Sequence, residues 1–183
     1  MALKPTIYKL KIALSDLDRD VYEALDLTIA LHPSETLERM MARVMAFCFN
    51  SHERLVFCKG ISDTEEPDLW QHSLDGNLEM WIEVGEPSID RIKKATRVAS
   101  VVKVYCFNSK ASTWWELNHS SLAALDASIC QFQWSEIQAL AAMAERTMDV
   151  SITITESAAY VATEQGECEV SLQTLQQIGG RRD

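Results

Sequence analysis

Apolar and polar residues alternate from Thr6 to Leu14 and again from Val21 to Leu31, the period of two expected of strands that bury one face. The polar stretch Ser15-Asp16-Leu17-Asp18-Arg19-Asp20 joins them, so the chain is predicted to open with a β-hairpin. The period then changes. Beyond His32-Pro33, the residues Leu37, Met40, Met41, Val44, Phe47 and Cys48 recur at helical spacing and predict a helix with one broad apolar face. Ser34 is placed to cap that helix and Glu35 to meet the positive end of its dipole. Methionines on this stripe are read as gap-filling core residues.

A short strand is predicted at Leu55 to Ile61, followed by two strands around Asp68 and Glu83 with Leu74-Asp75-Gly76-Asn77 between them. Asp-Gly supplies the positive φ angles of a tight primed turn, which would make these two strands hydrogen-bonded neighbours. Pro87 stops the second strand, a helix starts near Ser88, and Val101 to Phe107 reads as a strand rich in β-branched and aromatic residues. Strand, helix, strand implies a crossover joining parallel strands. There follow a helix carrying Trp114 and Trp115, a strand near Ser128 to Trp134 and a helix near Ser135 to Arg146. Three more strands are expected near Val150 to Thr155, Ala159 to Thr163 and Glu167 to Leu172, and Arg181, Arg182 and Asp183 read as a frayed tail. The implied class is α/β (α+β): a mixed central sheet flanked by helices, with an N-terminal hairpin and additional C-terminal strands, in one domain over residues 1–183.

Composition narrows this picture. With 183 residues, 47% of them hydrophobic, the chain is long enough to bury a full core. Lys4, Lys9 and Lys11 interrupt the apolar residues of the N-terminus, and no apolar run could span a bilayer, so a cytoplasmic protein without a membrane segment is expected. Cys48, Cys58, Cys106, Cys130 and Cys168 are scattered and odd in number, which suggests reduced core thiols and neither a disulfide framework nor a zinc site. A net charge of −10 repels a phosphate backbone, so any nucleic-acid contact must be local. The densest basic run, Arg91, Lys93, Lys94, Arg97 and Lys103, directly follows Glu83; an isolated run of this kind is ordinarily a solvated helix face.

The chemistry centres on Asp68 and Glu83. On neighbouring strands the two carboxylates could hold one hard cation such as Mg²⁺, which takes oxygen ligands and keeps several waters. Strand parity puts Glu83 and Gly85 on one face, where a lysine two residues beyond the carboxylate would orient a water or stabilise charge on phosphorus. Glycine stands there instead. The cation could then come from the following helix, where spacing of about 100° per residue puts Ile89, Ile92, Ala95, Thr96 and Ala99 on the packed face, Lys93 at its margin and Lys94 nearly opposite. Arg91 would contact phosphate. Other constellations are weaker: no phosphate-cradling glycine loop or Gly-x-Ser-x-Gly elbow occurs, and the four histidines lack close ligand spacing. His72 shares strand parity with Asp68 and Trp70, and Trp114 and Trp115 serve either as packing anchors or as base-stacking rings.

Taken in order, Met1-Ala2-Leu3-Lys4, His32-Pro33-Ser34-Glu35-Thr36, Glu38-Arg39-Met40-Met41, Glu65-Glu66-Pro67-Asp68, Trp81-Ile82-Glu83-Val84-Gly85, Pro87 and Arg91-Ile92-Lys93-Lys94-Ala95 resemble the YaeQ family of bacterial proteins over essentially the whole chain. The resemblance implies a variant of the PD-(D/E)xK nuclease fold with a restriction-endonuclease-like core, its two acidic positions falling on Asp68 and Glu83. It also implies a divalent metal, an assisting lysine, for which Lys93 and Lys94 are the candidates, and a glutamate on the first helix, which Glu38 matches. Glu38 equally suits an ion pair with Arg39 or Arg43. Two functions are thus expected: a Mg²⁺-dependent nuclease-like protein acting on nucleic acid, or a catalytically silent module of the same fold that binds within a transcription or repair complex.

Overall fold

The alternating N-terminal segments form β1 (Thr6–Asp16) and β2 (Val21–Leu31), antiparallel and in unbroken register from Thr6 opposite Leu31 to Asp16 opposite Val21. The computed structural model describes residues 3–59, 61 and 63–178; the tail beyond Ile178 lies outside the described residues. After the hairpin come α1 (Leu37–Phe49), β3 (Leu55–Phe57), β4 (Leu69–His72), β5 (Leu78–Val84), α2 (Ile89–Val98), β6 (Val101–Cys106) and α3 (Ala111–Leu122). The chain continues through β7 (Ser128–Phe132), α4 (Trp134–Ala142), β8 (Thr147–Thr155), β9 (Ala158–Thr163) and β10 (Gly166–Gln176). The fold is mixed α+β. None of the described helices is long and apolar enough to cross a membrane.

Contacts divide the chain into two compact units, each drawn from two separate stretches. The first comprises Met1–Phe49 and Phe132–Leu172. Its strands run in the order β2-β1-β8-β9-β10, with β1 and β8 parallel and the other neighbours antiparallel. Leu10, Ile12 and Leu14 of β1 and Val150, Ile152 and Ile154 of β8 are buried, while the residues between them face outward. Helix α1 buries Met40, Met41, Val44 and Met45 and packs on α4.

The helix start differs in one detail from the expectation. Thr36, not Ser34, caps α1, its hydroxyl accepting the Arg39 N–H at 3.2 Å; the Ser34 hydroxyl is engaged with His32 Nδ1 at 2.7 Å. Glu35 lies just before the helix and is buried against Arg43, whose Nε and Nη2 reach its two carboxylate oxygens at 2.7 and 2.8 Å. Arg39 adds a third bond at 3.1 Å.

The second unit, Asn50–Gln131 with the segment from Gln173, holds the strand order β7-β6-β5-β4-β3. Strands β3, β4 and β5 are antiparallel, and β5, β6 and β7 are parallel, joined by α2 and α3 as crossovers. Strand β3 is shorter than predicted because its partner begins only at Leu69, after Pro67, which has no N–H to give a ladder. The β4–β5 turn also departs from a primed turn. Of its residues only Gly76 has positive φ, +82, and its N–H donates to Ser73 O at 3.0 Å, so Asp75 keeps an ordinary conformation and glycine alone takes the left-handed one. Ser88 caps α2 as the sequence suggested, accepting the Arg91 N–H. Trp81, Val102, Val104 and Ile129 of the sheet pack with Ile92 and Ala95 of α2 and with Ala99, its C-cap, and Trp114 and Trp115 close this core at its edge.

Candidate functional site

Asp68 sits immediately before β4 because Pro67 delays the strand, yet its backbone is already in place: its N–H donates to Ile82 O at 3.1 Å and its carbonyl accepts from Cys58 at 3.0 Å. The pairing of Leu69 with Ile82 carries Asp68 alongside Glu83 on the same face of the sheet. Both are buried, at 2% and 5% exposure. Asp68 Oδ2 accepts the Val84 N–H at 2.8 Å. Glu83 Oε1 accepts two donors, Trp81 Nε1 at 2.8 Å and Arg91 Nε at 2.7 Å.

Arg91, in the first turn of α2, spreads its guanidinium three ways. Besides Glu83, it donates to the carbonyls of Thr64 at 2.5 Å and Glu66 at 2.8 Å, and it lies 5.9 Å from the centre of the Trp81 ring. A planar fork of five donors permits this; a lysine ammonium could not span the same three acceptors. Burial pushes the Glu83 carboxyl above its ordinary value, the Arg91 charge pulls it back, and the nearby Asp68 charge raises it again.

The lysines are placed elsewhere. Lys93 is exposed, and Lys94, also exposed, pairs with Glu65 at 2.7 Å. Lys103 pairs in register with Ile82, which puts it on the opposite sheet face from Glu83; its ammonium reaches Asn50 Oδ1 at 2.6 Å. Gly85 has φ +122 and open space around the position a Cβ would take, so glycine is required there by the backbone and not by crowding. Glu38 is half-buried on α1, within the first unit, whereas Asp68 and Glu83 belong to the second. The ion pairs expected between Glu38 and Arg39 or Arg43 are made by Glu35 instead.

Two residues near the carboxylates carry weaker sequence signals. Trp70 lies opposite Trp81 on the face shared with Asp68, with the His72 ring edge-on at 4.9 Å. Cys58 is half-buried, and its thiol is pushed up to about 12, first by burial and then by the charges of Glu66, Asp68 and Glu83. It is therefore a protonated thiol without nucleophilic character at neutral pH. Trp114 donates to Pro87 O at 3.2 Å and packs on the α2 core, a structural anchor. Among the described residues no group of three or more His, Cys, Asp and Glu side chains gathers as a metal cage; Asp68 and Glu83 are a pair.

The sequence profile of the family described as "YaeQ protein" matches residues 1–172. The chain belongs to the YaeQ family. It is 38% identical over 179 residues to the "Uncharacterized protein YaeQ" of Salmonella typhi and 37% identical to that of Escherichia coli K12, covering 97% of this chain and 99% of each relative. Among solved structures, the YaeQ protein from Xanthomonas axonopodis pv. citri superposes with a TM-score of 0.91 at 29% identity, over 94% of this chain and 99% of that one. The YaeQ protein from Pseudomonas syringae gives a TM-score of 0.89 at 36% identity, over 94% of this chain and 96% of that one.

Within this family member, what sequence reasoning missed is the role of Arg91 as the cation on Glu83. Strand parity and helical spacing point to Lys93, at the packed margin of α2, with Lys94 nearly opposite, but the guanidinium reaches from the helix's first turn. The signal that could have found it was the cap at Ser88, since it places Arg91 three residues into the helix, above the end of β5.

Proposed function

We propose that this protein is a Mg²⁺-dependent phosphodiesterase of the PD-(D/E)xK nuclease type, acting on nucleic acid at Asp68 and Glu83. The observation that carries the reading is the carboxylate pair: two buried acids side by side on one sheet face, at the point where an antiparallel hairpin passes into parallel strands. In this reading β4 to β7 with α2 correspond to the restriction-endonuclease-like core. The residues fit a hard cation. All donors are carboxylate oxygens, Glu83 Oε2 has no hydrogen bond among the described residues, and burial and the neighbouring Asp68 charge raise the Glu83 carboxyl, an effect that Arg91 opposes and a bound cation would oppose further.

Mg²⁺ bound there would acidify a water and polarise a phosphoryl oxygen. The chain's own residues do the rest. Trp81 and Arg91 hold Glu83 Oε1 fixed, so that Oε2 would be the oxygen to hold the metal. The Arg91 guanidinium would stabilise negative charge developing on phosphorus. Lys93 and Lys94 lie on the exposed side of α2 and draw the phosphate backbone toward the pair against the overall charge of −10.

Arg91 also favours a second reading. The cation on Glu83 cannot serve as a general base, and Gly85 carries no side chain, which suits a catalytically silent fold used for binding in a transcription or repair complex. Calorimetric titration with Mg²⁺ and cleavage assays on single- and double-stranded DNA and RNA decide between them, using wild type, Asp68→Ala and Glu83→Ala. The nuclease reading expects metal binding and Mg²⁺-dependent cleavage that both substitutions abolish. Cleavage surviving both would overturn the site; wild type without either activity would leave the binding module.

A further inference from the structure

The first unit carries a feature that the carboxylate site does not use. Across β2, β1, β8 and β9, Ala24, Ala13, Ser151 and Ala162 stand in one register row on the outward face. Solvent faces of strands usually carry long polar or β-branched side chains, and alanine is a poor strand former, so three alanines and a serine at one level leave a trough. It is a depression of about 720 Å³.

Its two borders differ chemically. On one side Asp26 and Asp149 flank Lys11 in register, and Glu164 extends the row on the chain after β9; none of the four makes an ion pair among the described residues. On the other side Ser15 and Thr153 lie between Tyr22 and Tyr160, which are 60% and 49% exposed. Glu167 and Glu169, beside Ala162 and Tyr160, add two further exposed carboxylates. Counting Lys9, the whole face sets five carboxylates against two lysines. Asp26 and Tyr22 are four residues apart on β2, roughly 13 Å along an extended strand. A helix with its side chains measures about 10–12 Å.

We propose that this outer face of β2-β1-β8-β9 is a docking surface for a basic amphipathic helix of a protein partner. The alanine and serine floor lets a helix lie close to the sheet. Its apolar stripe covers that floor and packs against the two tyrosine rings, while its lysines or arginines meet the carboxylates and the rings' π-faces. Charge disfavours two copies of this face meeting each other, since that would set carboxylates against carboxylates.

The test uses the full-length chain and two synthetic amphipathic helical peptides of equal length, one leucine-lysine and one leucine-glutamate, with binding followed by fluorescence anisotropy. The basic peptide should bind and the acidic one should not. Asp26→Lys with Asp149→Lys should weaken binding at least about tenfold, while the same change of net charge elsewhere, Asp75→Lys with Glu116→Lys, should leave it within about twofold. Ala13→Trp, which fills the floor at an exposed position, should weaken it comparably without altering the far-ultraviolet circular dichroism. Equal loss in the two double variants would mean only diffuse attraction to an acidic protein and would overturn the proposal. So would failure of the basic peptide to bind, or self-association of the wild type that Ala13→Trp abolishes.

Discussion

Arg91 Nε lies 2.7 Å from Glu83 Oε1, and the same guanidinium holds the carbonyls of Thr64 and Glu66. One side chain therefore links the first turn of α2, the end of β5 and the loop before Asp68. That contact stabilises a buried carboxylate that would otherwise have only Trp81 Nε1 as a donor, and it fixes the loop from which Glu65 reaches Lys94.

Arg91→Ala should cost about 2–4 kcal/mol, near but below the range for breaking a fully buried pair because Arg91 is partly exposed. Arg91→Lys should recover less than half of that, since charge returns but the three-way fork does not. Urea denaturation of the three proteins checks both, and equal stability of Arg91→Lys and wild type would contradict this account of the contact.

Restoring a lysine at Gly85 should not restore a simple cation. At φ +122 any side chain strains the backbone, so Gly85→Ala and Gly85→Lys should each lose about 1–3 kcal/mol, and by similar amounts, because the space around the position is open. Thermal unfolding measures this; a lysine variant as stable as wild type would show that the conformation relaxes readily.

The buried Glu35–Arg43 pair should behave unlike the half-buried Glu38. Arg43→Ala leaves a buried carboxylate without its bidentate partner, held by Arg39 and the His32 N–H, and is expected to cost about 3–5 kcal/mol. Glu38→Gln, which removes no ion pair among the described residues, should stay within about 0.5 kcal/mol. A large loss at Glu38 would reveal an unrecognised structural role for it.

The thiols supply a pH test. Burial pushes Cys48, Cys58 and Cys106 up to about 12, so their thiol forms persist well above the ordinary value of 9.0. At pH 8 the folded protein should be alkylated by iodoacetamide far more slowly at these positions than the urea-unfolded chain. At half-buried Cys58, the accessible one of the three, the rate should rise roughly tenfold for each pH unit up to pH 11. Mass spectrometry of the modified peptides reads the outcome; rapid labelling of Cys58 at pH 8 would refute the assignment.

The local and periodic features of this fold are legible in the chain alone. Alternation placed β1 and β2, helical spacing placed α1 and the buried face of α2, and the order strand, helix, strand implied the parallel pairing of β5 with β6, since short-range sterics and burial act on neighbouring residues. It also marked Asp68 and Glu83 as neighbours, because a hairpin turn constrains which strands pair. The remaining contacts arise only when distant elements pack. That Arg91 and not a lysine meets Glu83 depends on where a helix end stands relative to a strand end, and the choice of Glu35 over Glu38 as the partner of Arg43 depends on which carboxylate is turned inward. The alanine row of the first unit combines residues from two strand pairs more than a hundred positions apart, and only the register of β1 against β8 brings them to one level. Even so, Gly85 was legible as a departure long before its reason was: the missing side chain shows in the sequence, whereas the positive φ that requires glycine exists only in the folded backbone.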